Sequence, residues 1–255
     1  VVCHVHEAEG TASALLRKAL YLPLIFCHRI VINSRFALGV LTDSIPWLAR
    51  RTTVVYNAVA GPETVVAPRE SLESPTRLLY MGRLSHRKGP HVAIVAVRLL
   101  RERGRQVKLD VLGAVFAGNE AYEDGLHAQV ERDGLTDAVR FLGFRPSIWE
   151  VVAESDIVII PSTVDEPFGN TAVEASLAAR PLIVSDIAGL KEASQAATSR
   201  VTVPASDAWS IADAVETMSD SWDIYRSDAI TDAAVVAERF SQKQYGEGLI
   251  AVLGL

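Results

Sequence analysis

The sequence predicts an α/β fold built on a doubly wound parallel sheet. From residue 76 onward, short apolar runs that read as strands alternate six times with segments of helical spacing. The strand-like runs, such as "DIVIIPS" at 156–162, are apolar throughout and do not alternate with polar residues. Continuous apolar strands are typical of parallel sheets with both faces covered by helices. The two observations together predict a Rossmann-like fold.

The elements of this region follow each other in a regular order. Predicted strands occupy residues 76–82, 107–113, 138–144, 156–162, 180–186 and 199–205. Predicted helices occupy residues 88–104, 119–134, 146–155, about 169–179, 189–195 and 207–220. Gly104 closes the first helix and Pro146 opens the third, and both are common residues at those positions. Residues 76–220 are therefore predicted to form one domain.

The rest of the chain is predicted to belong to a second domain and its connections. Residues 1–59 contain three strand-like runs, "VVCHVH", "RIVINS" and "TTVVYNAV", separated by helical stretches at 12–27 and 35–50. They read as the last part of another α/β domain. The proline-containing stretch 60–75 is predicted to be a linker. Residues 221–255 are predicted to form a helical segment that returns toward the N-terminal domain.

Composition limits the function and the location. The formal net charge of −6 argues against nucleic acid as a partner. Residues 1–60 carry six Lys or Arg against three Asp or Glu, which is compatible with an anionic acceptor, a membrane surface or ordinary solvated charge. Cys3 and Cys27 read as buried free thiols of a reducing compartment. No apolar run reaches the ~20 residues needed to cross a bilayer. A cytoplasmic protein with at most peripheral membrane contact is expected.

The loop "GRLSHRKG" directly follows the first predicted strand of the large domain. Gly82 and Gly89 allow a tight turn and a close approach of a ligand to the backbone. Arg83 offers a planar fork of donors, and Lys88 offers a charge at the start of a helix. The loop is therefore either an anion site or a basic loop over a helix start. It is not a P-loop, because the order G-x-x-x-x-G-K-[ST] is absent.

The stretch "EPFGNTAVE" begins at Glu166 and leads into the fourth helix of the large domain. Asn170 and Thr171 are predicted to cap that helix, and Gly169 frees the backbone before them. Glu174 lies four positions after Asn170 and so on the same helical face. Its carboxylate can accept hydrogen bonds from the vicinal hydroxyls of a ribose, and Glu166 can do the same for a hexose. The alternative is a capped helix with ordinary solvated acids.

Two further strand ends carry candidate residues. Gly143, Phe144 and Arg145 end the third strand of the large domain and border either a flat ring or the core. His4 and His6 end the first strand of the chain. They either contact a substrate or are ordinary residues at the end of a strand. Metal binding by this pair is disfavoured because no further ligands cluster nearby.

In their order, the three loops resemble the family-four retaining glycosyltransferases, or glycosyl transferases group 1, whose GT-B fold has two facing Rossmann-like domains. The resemblance covers nearly the whole chain. It rests on Gly82, Arg83, Lys88 and Gly89, on Glu166, Pro167, Phe168, Gly169 and Glu174, and on "NSRF" and "VVYNAV".

The resemblance implies transfer of a hexose from a nucleotide-diphosphate sugar to an acceptor hydroxyl, with retention of configuration and without a metal or a separate cofactor. Arg83 and Lys88 would bind the donor diphosphate, Glu174 the ribose, and Glu166 would lie beside the hexose. The remaining implied donor contacts are the backbone amides of Phe168, Gly169, Asn170 and Thr171, the strand end Gly143, Phe144 and Arg145 for the nucleobase, and His6 for the sugar. The acceptor is open: a glycan, a lipid-linked compound or a small molecule.

Alternatives remain open at this point. Nucleotide-sugar epimerases and phosphorylases use similar two-domain folds. A non-catalytic module that binds a nucleotide sugar or a protein would have the same fold without the activity. Relative to the family, the front of the N-terminal domain is expected to be missing. A chain truncated there is expected to bind donor but to transfer sugar poorly by itself.

Overall fold

The computed structural model describes residues 1–254 and contains two parallel sheets. The smaller sheet has the order β1-β2-β3 and is formed by β1 (Val2–Val5), β2 (Arg29–Ile32) and β3 (Thr52–Val54). The larger sheet is formed by β4 (Thr76–Met81), β5 (Val107–Leu112), β6 (Val139–Gly143), β7 (Ile157–Ile160), β8 (Leu182–Ser185) and β9 (Arg200–Val203).

Helices connect these strands. They are α1 (Ala14–Tyr21), α2 (Arg35–Ser44), α3 (Pro90–Glu102), α4 (Glu120–Arg132), α5 (Trp149–Glu154), α6 (Asn170–Leu177), α7 (Ala188–Ala193), α8 (Ala208–Asp220), α9 (Trp222–Arg239) and α10 (Gln242–Leu253). Short 3-10 turns lie at Leu22–Phe26, Pro46–Arg51 and His86–Lys88. Within residues 1–254, no helix combines the length and the apolar character that crossing a membrane requires.

The strand order of the larger sheet is β6-β5-β4-β7-β8-β9, with every neighbouring pair parallel. The order reverses between β4 and β7, so the loops after these two strands diverge to opposite faces of the sheet. In open parallel sheets, ligands bind at this switch point beyond the carboxyl ends of the strands. The observed sheet confirms the predicted fold class and the six predicted strands.

Both faces of the larger sheet are buried, as its continuous apolar strands require. Along β7, Ile157 and Ile159 pack in the cluster that includes α3 and α8, whereas Val158 and Ile160 pack with α6 and α9. All four are almost completely buried. Burial of one such side chain contributes about 1.5–3 kcal/mol relative to exposure. The sheet is therefore a rigid base for the loops at its edge.

The stretch 60–75 contains no helix or strand and is fastened to the larger domain by side chains. Arg69 forms an ion pair with the buried carboxylate of Asp156. Arg180, which is completely buried, donates from Nη1 to the carbonyl of Val66 at 2.9 Å. These bonds hold the linker against the larger sheet.

The predicted final helix is divided in two. α9 ends at Arg239, and Ser241 begins a new helix by accepting a hydrogen bond at Oγ from the N–H of Gln244. α10 then packs on the smaller sheet, where Val252 joins a small buried cluster with Val31. Residue 255 of the predicted segment 221–255 lies outside the described residues. The predicted helix at 12–27 also divides, into α1 and a 3-10 turn.

Candidate functional site

A cleft of about 550 Å³ lies between the two sheets, at the carboxyl ends of β1, β2, β4 and β7. Its lining residues from the N-terminal part are His6, Glu7, Glu9, Asn33 and Asn57. Those from the larger domain are Arg83, Ser85, Arg87, Lys88, Glu166, Pro167, Phe168, Gly169, Asn170 and Thr171. The switch point of the sheet thus opens directly onto this cleft.

A charged pair lies in the cleft wall. The ammonium of Lys88 lies 2.6 Å from Oε2 of Glu166, and the hydroxyl of Ser162 donates to the other carboxylate oxygen. Glu166 is only 6% exposed, whereas the Lys88 side chain is 28% exposed. Because the carboxylate is satisfied from both sides, it is held in one orientation while the ammonium keeps a face toward the cleft.

Two glycines bring the backbone of these loops close to its neighbours. Gly89 has a φ of 68°, and a Cβ there would lie 2.1 Å from the carbonyl oxygen of Pro161. Gly169 has a φ of 107°, and a Cβ there would lie 2.5 Å from Cδ2 of Leu190. Both positions therefore require glycine. Gly89 thus fixes the start of α3 against the end of β7, and Gly169 fixes the start of α6 against α7.

The predicted caps of α6 are wrong. Gly169 is the N-cap, and Asn170 and Thr171 are the first residues of the helix itself. The left-handed backbone at Gly169 places the helix start one residue earlier than side-chain capping would. Asn170 instead accepts a hydrogen bond at Oδ1 from Nδ2 of Asn57 across the cleft, at 3.1 Å. The first N–H groups of a helix have no partner within it, so this end of α6 favours anions.

The cleft between the two sheets is the first of two lobes. A second lobe of about 580 Å³ continues from it and shares Arg83 and Thr171 with it. It is lined by Met81, Gly82, Arg83, Leu112, Gly113, Ala114, Val115, Phe116, Phe144, Arg145, Ile148, Thr171 and Glu174. Its walls are mainly apolar, and two aromatic side chains, Phe116 and Phe144, are 58% and 76% exposed. A polar, cationic lobe is thus joined to one that suits a planar ring.

Arg83 lies at the joint of the two lobes. Its guanidinium carbon is 3.9 Å from the centre of the Phe116 ring. Its carbonyl oxygen accepts a hydrogen bond of 2.8 Å from the hydroxyl of the buried Tyr80. The side chain and the backbone of Arg83 are therefore both held in place.

Glu174 is a half-buried acid in the second lobe. Burial raises the pKa of its carboxyl group above the ordinary value, and the positive charge of Lys88 partly opposes this rise. Partial desolvation of a carboxylate is unfavourable for stability. Such a perturbed acid in a cleft is a candidate for ligand binding.

The wall from the N-terminal part is ordered by backbone and amide contacts. Asn33 is 3% exposed, donates from Nδ2 to the carbonyl of His6 at 3.0 Å, and finds no partner for its Oδ1 within residues 1–254. The rings of His4 and His6 are 4.0 Å apart, and burial lowers the pKa of His4. Only His6 of this pair lines the cleft. Arg87 spans the opening, with Nη1 3.9 Å from Oε2 of Glu9.

The structure brings most of the predicted residues together. Arg83, Lys88, Glu166, His6, Phe168, Gly169, Asn170 and Thr171 line the first lobe, and Gly82, Phe144, Arg145 and Glu174 line the second. Gly143 lines neither lobe, because its carbonyl oxygen pairs with the N–H of Gly113 at 3.0 Å. Phe168 is 2% exposed, so the cleft meets its backbone and not its ring.

Sequence reasoning missed several residues of the site. Ser162 and Phe116 lie in loops whose spacing carries no signal of its own, whereas Asn33 begins the "NSRF" stretch, to which no site role was assigned. Gly113, at the end of the second strand of the larger domain, could have been found by analogy with Gly82. Within residues 1–254, no group of three or more His, Cys, Asp or Glu side chains is placed to hold a metal ion.

Comparison with known proteins identifies relatives of the larger domain. The family model described as glycosyl transferases group 1 matches residues 62–234. The glycogen synthase of Mycobacterium tuberculosis strain H37Rv is 32% identical over 170 residues, which are 66% of this chain and 40% of that protein. The alpha-D-kanosaminyltransferase of Streptomyces kanamyceticus is 27% identical over 186 residues, or 72% of this chain and 47% of that protein. The chain thus spans less than half the length of these curated relatives.

Solved structures share the fold over nearly the whole chain. HepE of Anabaena, in complex with UDP and glucose, matches with a TM-score of 0.86 and 24% identity, over 99% of this chain and 71% of that one. The sucrose-phosphate synthase of Thermosynechococcus elongatus matches with a TM-score of 0.81 and 19% identity, over 99% and 66% of the two chains. At this identity the likeness concerns the fold.

Proposed function

This chain belongs to the glycosyl transferases group 1 family, and we propose that it transfers a hexose from a nucleoside diphosphate sugar to a hydroxyl group of an acceptor. The observation that carries the proposal is the position of Arg83, which lines both the cationic lobe and the lobe with the exposed rings. A nucleoside diphosphate sugar has the matching order: base and ribose, then two phosphates, then the sugar. The crystal structures of the Anabaena protein in complex with UDP and with UDP-glucose support a ligand of this class.

In the proposal, each lobe binds one part of the donor. Arg83, Lys88 and the first N–H groups of α6 bind the diphosphate, where negative charge develops as the bond to the sugar breaks. The carboxylate of Glu174 accepts hydrogen bonds from the ribose hydroxyls, and Phe144 and Arg145 border the base. Glu166, the backbone from Phe168 to Thr171, and His6 lie beside the hexose. These roles follow the family resemblance and the positions of the residues around the cleft.

The proposed reaction retains the configuration at the anomeric carbon and uses neither a metal ion nor a separate cofactor. The bond between the anomeric carbon and the phosphate oxygen breaks, and the acceptor oxygen bonds to the same carbon on the same face. The acceptor proton passes to the leaving phosphate oxygen. We place this reaction in the cytoplasm, because both cysteines of the described chain are unpaired thiols.

Calorimetric titration with UDP, GDP, ADP and their hexose conjugates tests the proposal. One nucleoside diphosphate is expected to bind, and a ligand of the native state also raises the thermal midpoint. Arg83→Ala and Lys88→Ala should weaken that binding. Arg98→Ala, which removes an exposed ion pair with Glu102 on α3, should leave it unchanged. If no nucleotide of the panel binds, the donor site is wrong.

The reaction itself is tested with the donor that binds best. NMR of the product should find the anomeric configuration of the donor, and a chelator should leave the rate unchanged. An inverted product would overturn the retaining mechanism, and loss of activity with the chelator would overturn metal independence.

A further inference from the structure

Glu192 connects the larger domain to the N-terminal part through three hydrogen bonds. Its Oε1 accepts from the N–H of Arg35 at 2.7 Å and from the hydroxyl of Tyr56 at 2.8 Å. Its Oε2 accepts from the N–H of Phe36 at 3.0 Å. The carboxylate thus binds the first two N–H groups of α2, although it belongs to α7. The Glu192 side chain lines neither lobe of the proposed donor site.

The position of α7 is fixed relative to the cleft. A Cβ at Gly189 of this helix would lie 2.0 Å from the carbonyl oxygen of Glu166. The first turn of α7 therefore packs directly on the backbone of the E-P-F-G loop. A residue that is bound by α7 therefore has a fixed position relative to Glu166.

The start of α2 carries the opposite wall of the cleft. Ser34, its N-cap, donates from Oγ to the carbonyl of Pro167 in the E-P-F-G loop and accepts from the N–H of Ala37. The preceding residue, Asn33, lines the cleft and donates to the carbonyl of His6. A continuous series of bonds thus runs from Glu192 through the start of α2 to His6.

We propose that Glu192 is a positioning residue, which holds the start of α2 so that Asn33 and His6 stand opposite Lys88 and Glu166. The inference rests on the proposed transfer reaction, in which the acceptor hydroxyl must meet the donor sugar across this cleft. A carboxylate is suited to the task, because it accepts both N–H groups and is favoured by the positive end of the helix dipole. Small misplacements of reacting groups strongly reduce rates.

This role predicts a separation of binding from turnover. Glu192 contacts neither lobe, so Glu192→Ala should leave the Kd of the nucleoside diphosphate within about twofold. The rate constant of transfer should fall about tenfold, because the start of α2 loses two hydrogen bonds to a charged acceptor and no longer holds Asn33 and His6 in place. Glu192→Gln keeps one acceptor oxygen and should give an intermediate rate. Glu238→Gln, an exposed change on α9, should match the wild type in every measurement.

Amide hydrogen exchange tests the contact without any substrate. The N–H groups of Arg35 and Phe36 should exchange about tenfold faster in Glu192→Ala, and less so in Glu192→Gln. Unchanged exchange at both amides, or transfer at the wild-type rate, would overturn the proposal. If the wild type transfers no sugar while exchange responds as expected, the proposed reaction fails and the contact stands.

Tyr56→Phe provides a second variant should Glu192→Ala fail to fold. It removes one of the three donors to the carboxylate and keeps the ring, whose centre lies 5.7 Å from that of Phe168. Transfer should slow about threefold with an unchanged Kd for the nucleoside diphosphate. Equal losses of binding and turnover would mean that Tyr56 and Glu192 stabilise the fold in general and do not position the cleft residues.

Discussion

The ammonium of Lys88 and the carboxylate of Glu166 form an ion pair of 2.6 Å in which only the ammonium faces the cleft substantially. Because Glu166 is nearly buried, its charge is satisfied by Lys88 and Ser162 and hardly by water. The pair therefore links a ligand-facing cation to the loop that begins at Glu166. Removal of either partner should affect stability and binding differently.

Lys88→Ala is expected to lower the free energy of unfolding by about 1–3 kcal/mol, because it leaves a buried carboxylate without its cation. Adding Glu166→Gln to this variant should restore much of the loss, since the amide carries no charge to compensate. Urea unfolding of the two single variants and the double variant measures the coupling. A double variant that is less stable than Lys88→Ala would contradict the prediction.

Phe116→Leu is expected to weaken the affinity for inorganic pyrophosphate about two- to fivefold, because a cation–π contact contributes about 0.5–1 kcal/mol at exposed sites. The ring of Phe116 lies under the guanidinium of Arg83, and Phe116→Trp should preserve the stack. Phe144→Leu is the matched control, since Phe144 lines the same lobe and pyrophosphate has no base for it to contact. Calorimetric titration with pyrophosphate measures these affinities. Equal effects of the Phe116→Leu and Phe144→Leu variants would refute a specific role of the stack.

The sequence predicts the larger sheet because its signals are local. Each buried strand is a continuous apolar run, and Gly82 and Lys88 lie within eight positions of the strand that places them. The N-cap of α6 was predicted wrongly for a similar reason. Local rules favour the side chains of Asn170 and Thr171, whereas the packing of Gly169 against Leu190 selects the glycine.

The contacts across the cleft could not be predicted from sequence spacing. Glu192 binds the N–H groups of Arg35 and Phe36, which lie 157 and 156 positions away. Such a bond depends on how α2 and α7 pack, and a backbone N–H has no sequence signature. For the same reason, the short pattern that contains Phe116 gave no indication that its ring would support Arg83.

Glu174→Gln should make the protein increasingly more stable than the wild type as the pH rises from about 4 to neutral. Burial raises the pKa of Glu174 in the folded state above its ordinary value of 4.5. Below the ordinary value both states hold the proton and the burial has no electrostatic cost. Between the two pKa values the folded state binds more protons than the unfolded state, so stability falls with pH, and above the raised value the loss is complete.

The measurement for Glu174 is the difference in unfolding free energy between variant and wild type at several pH values. Taking the difference removes the contribution of all other titrating groups. Glu238→Gln on the exposed face of α9 is the control for replacing a glutamate with glutamine outside the lobe. A difference for Glu174→Gln that stays constant or shrinks as the pH rises would contradict the burial of a charged carboxylate in the lobe.

Gly113→Ala is expected to destabilise the protein by at least about 2 kcal/mol and to weaken nucleoside diphosphate binding. Gly113 has a φ of 141°, and its added methyl group would lie 1.8 Å from the carbonyl oxygen of Gly82. The ends of β4 and β5 would have to separate, and Arg83 directly follows Gly82. Binding should therefore fall together with stability, because the same displacement moves the guanidinium away from the joint of the two lobes.

Gly125→Ala is the matched control for this substitution. Gly125 lies within α4, and a Cβ there meets no atom within 4 Å. Since alanine is favoured over glycine inside a helix, this variant should gain about 0.5–1 kcal/mol and keep its affinity. Urea unfolding and calorimetric titration of both variants separate a general effect of an added methyl group from the close approach of the strands. If the Gly113→Ala variant were as stable as the wild type, the ends of β4 and β5 could separate without cost. In that case the position of Arg83 would depend only on its contacts with Phe116 and Tyr80.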